Sequence, residues 1–218
     1  RADPARAATA RRATGRCGWR AGMAVIMPQG ARVGGEPFAS RRRETGGAAI
    51  LPETADAYPQ VVAKLRRDIE RAAAMGSPVV RALVASDRYA MPPGPVEPHV
   101  ETVVRLLREV RSQVKDAGLK IAIENHKELN AWQTRELIEA AGSDFVGSYL
   151  DTGNPVFVAE DPMTTVEELG PLAVTFHLRD SVVYEHPEGV AVQWVPLGEG
   201  TVDFKAIVAR AAELMPAS

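Results

Sequence analysis

Three residues combine a metal-competent side chain with a regular spacing. Glu124 directly follows the apolar run Leu119-Lys120-Ile121-Ala122-Ile123, Asp151 directly follows the run ending at Leu150, and His177 lies near the end of the run Ala173 to Leu178. The gaps between them are 27 and 26 residues, about one strand-plus-helix unit each. If each run is a strand of one parallel sheet, the three side chains leave neighbouring strand ends at the same edge and converge. Two carboxylates and an imidazole suit Mn²⁺, Mg²⁺ or Co²⁺, with Zn²⁺ less favoured. A lone acid at a strand end is usually a helix cap or a solvated loop residue. Three metal-competent residues at one repeat length favour a shared site.

The residues beside the three are read in two ways each. Asn125 and His126 either touch a substrate or hold their loop. Asn154 either hydrogen-bonds a hydroxyl or stabilises the turn after Asp151. Arg179 and Asp180 either bind an anionic group and orient the imidazole or form a surface ion pair. Glu199, in Gly198-Glu199-Gly200, is a weak signal on a flexible loop. His99 and His186 are read as non-functional.

The elements that must position these residues follow from periodicity. Val62, Leu65, Ile69 and Ala72 fall at helical spacing, with Gly76 where a C′ glycine ends a helix. Val79 to Ala85 reads as a buried strand. A breaker-rich loop, Met91-Pro92-Pro93-Gly94-Pro95, leads to the clearest helix, with Val100, Val103, Val104, Leu107, Val110 and Val114 in one stripe closed by Gly118. Glu101 and Arg105 form an i,i+4 pair on its outer side. The spacing predicts a helix over 133–141, a strand over 145–150 and a helix over 162–169 with Asp161 as N-cap. A strand over 172–178, another over 193–197 and a last helix capped by Asp203 follow. Strands alternating with helices imply an α/β fold with a parallel sheet. Periodicity alone does not say whether that sheet closes.

Composition sets the bounds. The chain has 218 residues, 45% of them hydrophobic and 25% charged, with net charge −2. That is a globular balance, giving no reason to expect nucleic acid or a membrane as partner. A single cysteine, Cys17, excludes an intramolecular disulfide and fits a reducing, cytoplasmic setting. Residues 1–50 differ from the rest: ten Arg and three acidic residues, about +7, against −9 for the other 168. This low-complexity Arg/Ala/Gly-rich segment is expected to be poorly ordered. A transit peptide, a basic tail and miscalled coding sequence around a truncated gene all fit it, the last two better. Met23 to Met27 could form a short strand. Residues 51–218 are expected to form the folded domain.

Four motifs, in order, carry a family resemblance: Ile123-Glu124-Asn125-His126, Leu150-Asp151-Thr152-Gly153-Asn154, Phe176-His177-Leu178-Arg179-Asp180 and Pro196-Leu197-Gly198-Glu199-Gly200. Together they resemble the xylose-isomerase-like TIM-barrel superfamily, which includes sugar-phosphate isomerases and epimerases and the AP endonuclease family 2 barrels. The resemblance covers roughly residues 57–215. It implies a (β/α)₈ barrel, incomplete here, with the first strands unclear and the last strand missing; a complete barrel takes about 250 residues. It also implies a divalent metal held by Glu124, Asp151, His177 and a second Glu on the missing strand, so this chain is expected to be a fragment whose activity is in doubt. The implied substrate is a small sugar, sugar phosphate or polyol, isomerised or epimerised by enediolate-type proton transfer with Glu124 as one acid/base group. His126, Asn154 and Arg179 are candidate substrate contacts, and Asn125, Asp180 and Glu199 candidate supports. Extra histidines that a trinuclear nuclease site needs are replaced by Asn154 and Gln193 to Pro196. An inositol-type dehydratase or lyase and a non-catalytic sugar- or partner-binding barrel remain as alternatives. Exposed sheet edges on an incomplete barrel invite a homodimer.

Overall fold

A computed structural model describes residues 24–26, 48–187 and 189–216. Along the chain these form β1 (Ala24–Ile26), β2 (Ala48–Ala49), α1 (Tyr58–Ala74), β3 (Val79–Leu83), α2 (Glu97–Glu109) and α3 (Arg111–Asp116). There follow β4 (Lys120–Glu124), α4 (Ala131–Ala141), β5 (Val146–Asp151), α5 (Pro162–Leu169), β6 (Ala173–His177), β7 (Asp180–His186), β8 (Gly189–Val195) and α6 (Phe204–Leu214). The expected strand over Met23–Met27 is present as β1. The rest of residues 1–47 lies outside the described residues. Among the described residues, no helix is long and apolar enough to cross a membrane.

The chain divides into two compact units. The larger takes Thr45–Arg179 and Val202–Ser218. Its five strands run parallel in the order β2-β3-β4-β5-β6. Sequential order with a helix between strands is the arrangement of consecutive staves in a (β/α)₈ wall, so the α/β reading holds. β4 and β5 are buried along most of their length, which is why they read as unbroken apolar runs rather than alternating ones. A core of Ile69, Leu106, Leu107, Ile121, Ile123, Leu137, Ile138 and Phe145, all 0% exposed, joins the first helices to the sheet. Each such side chain stabilises the fold by roughly 1.5–3 kcal/mol relative to exposure. A second cluster around Leu150, Val166, Leu169 and Ile207 seats α5 and α6.

Local chemistry sets the boundaries. α5 starts as expected: Asp161 accepts a hydrogen bond from Met163 N at 2.8 Å, and Pro162 takes the first turn. α4 starts two residues before the expected 133, because Asn130 and Gln133 form a reciprocal capping box. The helix expected to run unbroken to Gly118 is divided at Val110 (φ −101°, ψ 2°), whose N–H bonds Leu107 O in a tighter turn. Arg105, expected to pair with Glu101, lies over the Tyr58 ring instead, 4.7 Å from its centroid. Gly147 on β5 has no room for a side chain: a Cβ there would stand 2.6 Å from Val174 Cγ1 and 2.9 Å from Leu172 O.

The smaller unit holds β1 and residues Asp180–Thr201. β7 and β8 form an antiparallel hairpin, with Asp180 opposite Val195 and His186 opposite Gly189, and β1 pairs β8 in parallel. The strand expected over 193–197 thus begins earlier, at Gly189, and belongs to a hairpin. The Pro187 turn and the period-two pattern of Val190-Ala191-Val192-Gln193-Trp194 account for it.

Candidate metal centre

β4, β5 and β6 end in Glu124, Asp151 and His177. Asp151 pairs with His177 across β5–β6, and Glu124 pairs with Tyr149, two residues before Asp151. Because side chains alternate between sheet faces with period two, all three point to one side. Their ligand atoms lie within 4.8 Å of one another. Glu124 and Asp151 are buried, at 1% and 0% exposed, and the His177 side chain is 37% exposed.

Each donor is held by its own loop. Asp151 Oδ1 accepts the backbone N–H groups of Gly153 and Asn154, both at 2.8 Å. Asp151 Oδ2 points into the triad, 2.8 Å from His177 Nδ1 and 3.3 Å from Arg179 Nη2, yet makes no well-directed hydrogen bond. The Asn125 amide clamps the Asp151 backbone, donating to its O at 2.9 Å and accepting its N–H at 2.8 Å. Asn154 Nδ2 reaches Glu124 Oε1 at 3.4 Å, and Arg179 Nη1 reaches Asn154 Oδ1 at 3.4 Å. The Thr152 hydroxyl donates to Arg179 O and accepts Arg179 N–H, both at 2.9 Å, which fixes the two loops side by side.

Electrostatics follow from these contacts. The contacts with Asp151 and Glu124 raise His177 to about 9, against its partial burial. Burial pushes Asp151 up, but His177 and the charge of Arg179 outweigh it and hold the carboxyl below its usual range. His126 is lowered by burial, which the charge of Glu124 only partly opposes; its Nδ1 sits 2.6 Å from Ser86 O.

A divalent ion fits this donor set. Two carboxylate oxygens and an imidazole nitrogen converge, and the buried Asp151 Oδ2 is directed at the meeting point, facing His177 and Arg179. Two buried carboxylates and an imidazole facing one point are the donor chemistry a divalent cation takes. Glu124 Oε1, beside Asn154, is the second oxygen; Oε2 is ion-paired with Arg81 through Nε and Nη2.

The structure gathers Glu124, Asp151, His177, Asn125, Asn154 and Arg179 into one network, with His126 on the adjoining loop. Asp180 and Glu199 belong to the smaller unit. There Asp180, 1% exposed, accepts from Gly198 N and Gly200 N through Oδ2, both at 2.9 Å. It ties down the Pro196–Gly200 loop, while the Glu199 side chain is exposed.

Four residues near the triad escaped the sequence reading: Arg81, Lys127, Glu128 and Tyr149. Arg81 lies 5.5 Å from the Tyr149 ring centroid, and that ring meets His177 edge-on at 6.1 Å. The signal for Arg81 was present, since it is the only charge inside the apolar run Val79 to Ala85, and a charge in a buried strand needs a partner. Glu128 carried no such signal, because it follows the polar pair His126-Lys127 in a polar loop.

A parallel α/β sheet with a carboxylate–carboxylate–imidazole cluster at successive strand ends defines the class: an α/β wall of consecutive (β/α) units carrying a cluster that could hold a metal ion. The chain belongs to the xylose isomerase-like TIM barrel family, whose model matches residues 48–214. Three solved structures share its fold. One is a xylose isomerase-like TIM barrel protein from Mycobacterium smegmatis in complex with magnesium (17% identical, TM-score 0.63, covering 74% of this chain and 59% of that one). Another is the IolI protein with a bound zinc atom (16%, TM-score 0.64, 78% and 62%). The third is L-ribulose 3-epimerase (19%, TM-score 0.61, 77% and 57%). An uncharacterized protein of Escherichia coli K12, YihM, is 24% identical over 99 residues, 45% of this chain and 30% of that protein. The chain thus spans less than two thirds of each of these proteins.

Proposed function

We propose that this domain takes part in a divalent-metal-dependent isomerisation or epimerisation of a small sugar or polyol. The observation that carries the reading is the convergence of Glu124, Asp151 and His177 at three consecutive strand ends, with Asp151 Oδ2 buried and directed at His177. The epimerase among the similar structures supports it. When bound, a divalent ion supplies Lewis-acid stabilisation of negative charge on the oxygens beside the carbon that loses its proton.

The chain's own groups have distinct tasks. Glu124 would take the proton from the substrate carbon and return it through Oε2 once Arg81 releases that oxygen, because Oε1 faces the other donors of the triad. One carboxylate suffices for the carbon-to-carbon proton shift on one face, and the accompanying proton would pass from the substrate's hydroxyl to its adjacent carbonyl oxygen. Asn154 and Arg179 hydrogen-bond the substrate's oxygens, with His126 at the rim. Asn125 holds Asp151 in place.

The test is turnover of a ketose and keto-inositol panel with Mn²⁺. Glu124→Gln is expected to remove turnover while the chain stays folded; unchanged turnover sinks the assignment. The Arg81–Glu124 ion pair favours a second reading, a sugar-binding domain without turnover, because the guanidinium occupies a carboxylate oxygen that the reaction needs free. Mn²⁺ and sugar binding without conversion of any panel member would select it.

A further inference from the structure

The loop after β4 is held by contacts that the proposed reaction does not use. Glu128, on that loop, is 2% exposed, and a carboxylate taken out of water needs its oxygens bonded. Oε1 accepts Val84 N–H at 2.9 Å and Ala85 N–H at 3.1 Å, where the chain leaves β3. Oε2 accepts Lys127 N–H at 2.8 Å, on its own loop. The Glu128 carbonyl in turn accepts from Arg88 Nη1 at 3.0 Å. One residue thus fastens the loop after β4 to the loop after β3 through both its side chain and its backbone.

His126 sits between these ties. Its Nδ1 lies 2.6 Å from Ser86 O, in the residue after the Ala85 N–H that Glu128 holds. A carbonyl oxygen only accepts, so Nδ1 carries the proton of that hydrogen bond. In the neutral ring this makes Nε2 the acceptor. The ring is therefore oriented by a carbonyl whose place depends on Ala85 and by a backbone whose place depends on Lys127. Glu128 bonds both. The same loop is joined to the turn after β5 by Lys127 Nζ, 4.6 Å from the centroid of the Phe157 ring.

We propose that Glu128 is a positioning residue: it holds the His126 ring in the Nδ1–H form, with Nε2 left to accept a substrate hydroxyl. The part that concerns substrate rests on the sugar reading above; the hold on His126 does not. The geometry also says which substitution separates aim from support. Glu128→Gln keeps the shape of the side chain. Its amide oxygen serves the N–H groups of Val84 and Ala85, because the opposite orientation leaves both without an acceptor. The amide NH₂ then meets Lys127 N–H, donor against donor, and that half of the clamp opens.

The test is nuclear magnetic resonance on the full chain, wild type and Glu128→Gln, after circular dichroism shows the variant to be folded. An imidazole proton–nitrogen correlation spectrum reports which nitrogen of His126 is protonated, and amide hydrogen exchange reports which N–H groups are held. Expected in the wild type are an Nδ1–H ring at His126 and a Lys127 amide protected about tenfold or more, although it lies outside any strand or helix. In the variant, Val84 and Ala85 should stay protected, Lys127 should lose its protection, and His126 should become a mixture of both tautomers. D-Fructose, titrated with Mn²⁺ present, should bind the variant about tenfold more weakly, as loss of one hydrogen bond implies. A lower melting temperature with an unaltered His126 spectrum makes Glu128 merely structural and overturns the inference, as does measurable but equal fructose affinity in the two chains. Fast exchange at Lys127, or an Nε2–H ring at His126, in the wild type overturns it without any variant. If the wild type binds no fructose, the sugar reading fails, while the imidazole spectrum still decides the role of Glu128.

Discussion

Glu128 offers a quantitative check on the architecture around the centre. It is 2% exposed, and its carboxyl joins the end of β3 to the loop after β4. Oε1 accepts Val84 N–H at 2.9 Å and Ala85 N–H at 3.1 Å, and Oε2 accepts Lys127 N–H at 2.8 Å. Burial raises its pKa from 4.5 to about 7, against the pull of those three N–H groups. A folded-state value above the unfolded one means that the native chain binds the extra proton, so stability falls as pH rises from about 4.5 to about 7. The full fall is about 3 kcal/mol, at roughly 1.4 kcal/mol for each tenfold difference in proton affinity between the folded and unfolded chain. Between pH 5 and pH 8, Glu128 therefore removes about 2–3 kcal/mol. Urea unfolding at both pH values, in wild type and in Glu128→Gln, isolates this share because every other titration is common to both. The variant is expected to lose that fall. Identical pH dependence in the two chains refutes the reasoning. Glu128→Ala leaves two buried N–H groups without an acceptor, at about 1–3 kcal/mol each. It should therefore destabilise the chain strongly at pH 5 and less at pH 8.

Three further outcomes follow from the same contacts. Gly147→Ala should destabilise by about 1–3 kcal/mol or more, since the new methyl meets Val174 and the Leu172 carbonyl inside the sheet; chemical unfolding measures it, and an unchanged midpoint means that β5 and β6 are not packed as described. Asn125→Ala removes both hydrogen bonds to the Asp151 backbone and should weaken Mn²⁺ binding about 10–100-fold, the usual effect of losing a ligand's support; calorimetry with unchanged affinity would reject that role. Arg81→Met strips Glu124 of its ion-pair partner, so the metal-free chain should melt lower while Mn²⁺ raises the melt further than in wild type. A metal response no larger than wild type's shows that Arg81 does not compete for the carboxylate.

The triad was legible in the sequence because each of its residues stands at or near the end of an apolar run, and a parallel sheet turns equal spacing along the chain into proximity in space. The caps at Asp161 and Asp203 were legible for a simpler reason: an acid beside the first helical residue satisfies free N–H groups locally, as Asp203 does for Ala206 N at 3.1 Å. What escaped depends on partners distant in sequence. Arg81 acquires meaning only when β3 lies beside β4 and brings Glu124 against it. The Val110 turn and the move of Arg105 onto Tyr58 depend on packing that no helical period encodes. The β7–β8 hairpin was hidden because the parallel rhythm of the preceding strands suggested one more parallel strand, whereas the Pro187 turn reverses the chain within a few residues.

The centre also explains how two carboxylates can be buried side by side. Glu124 and Asp151 are almost wholly removed from water, and two ionised groups at such range repel strongly in a medium of low dielectric. Arg81 on Glu124, and Arg179 with His177 on Asp151, supply the opposing charge. A divalent ion held by Glu124, Asp151 and His177 would replace part of that compensation rather than add to an empty field. His177 must give up its proton to become a ligand, and Arg179 must loosen its hold on Oδ2. The affinity for metal is then a difference between two well-compensated states, which a change at Arg81 or Arg179 shifts without touching any ligand.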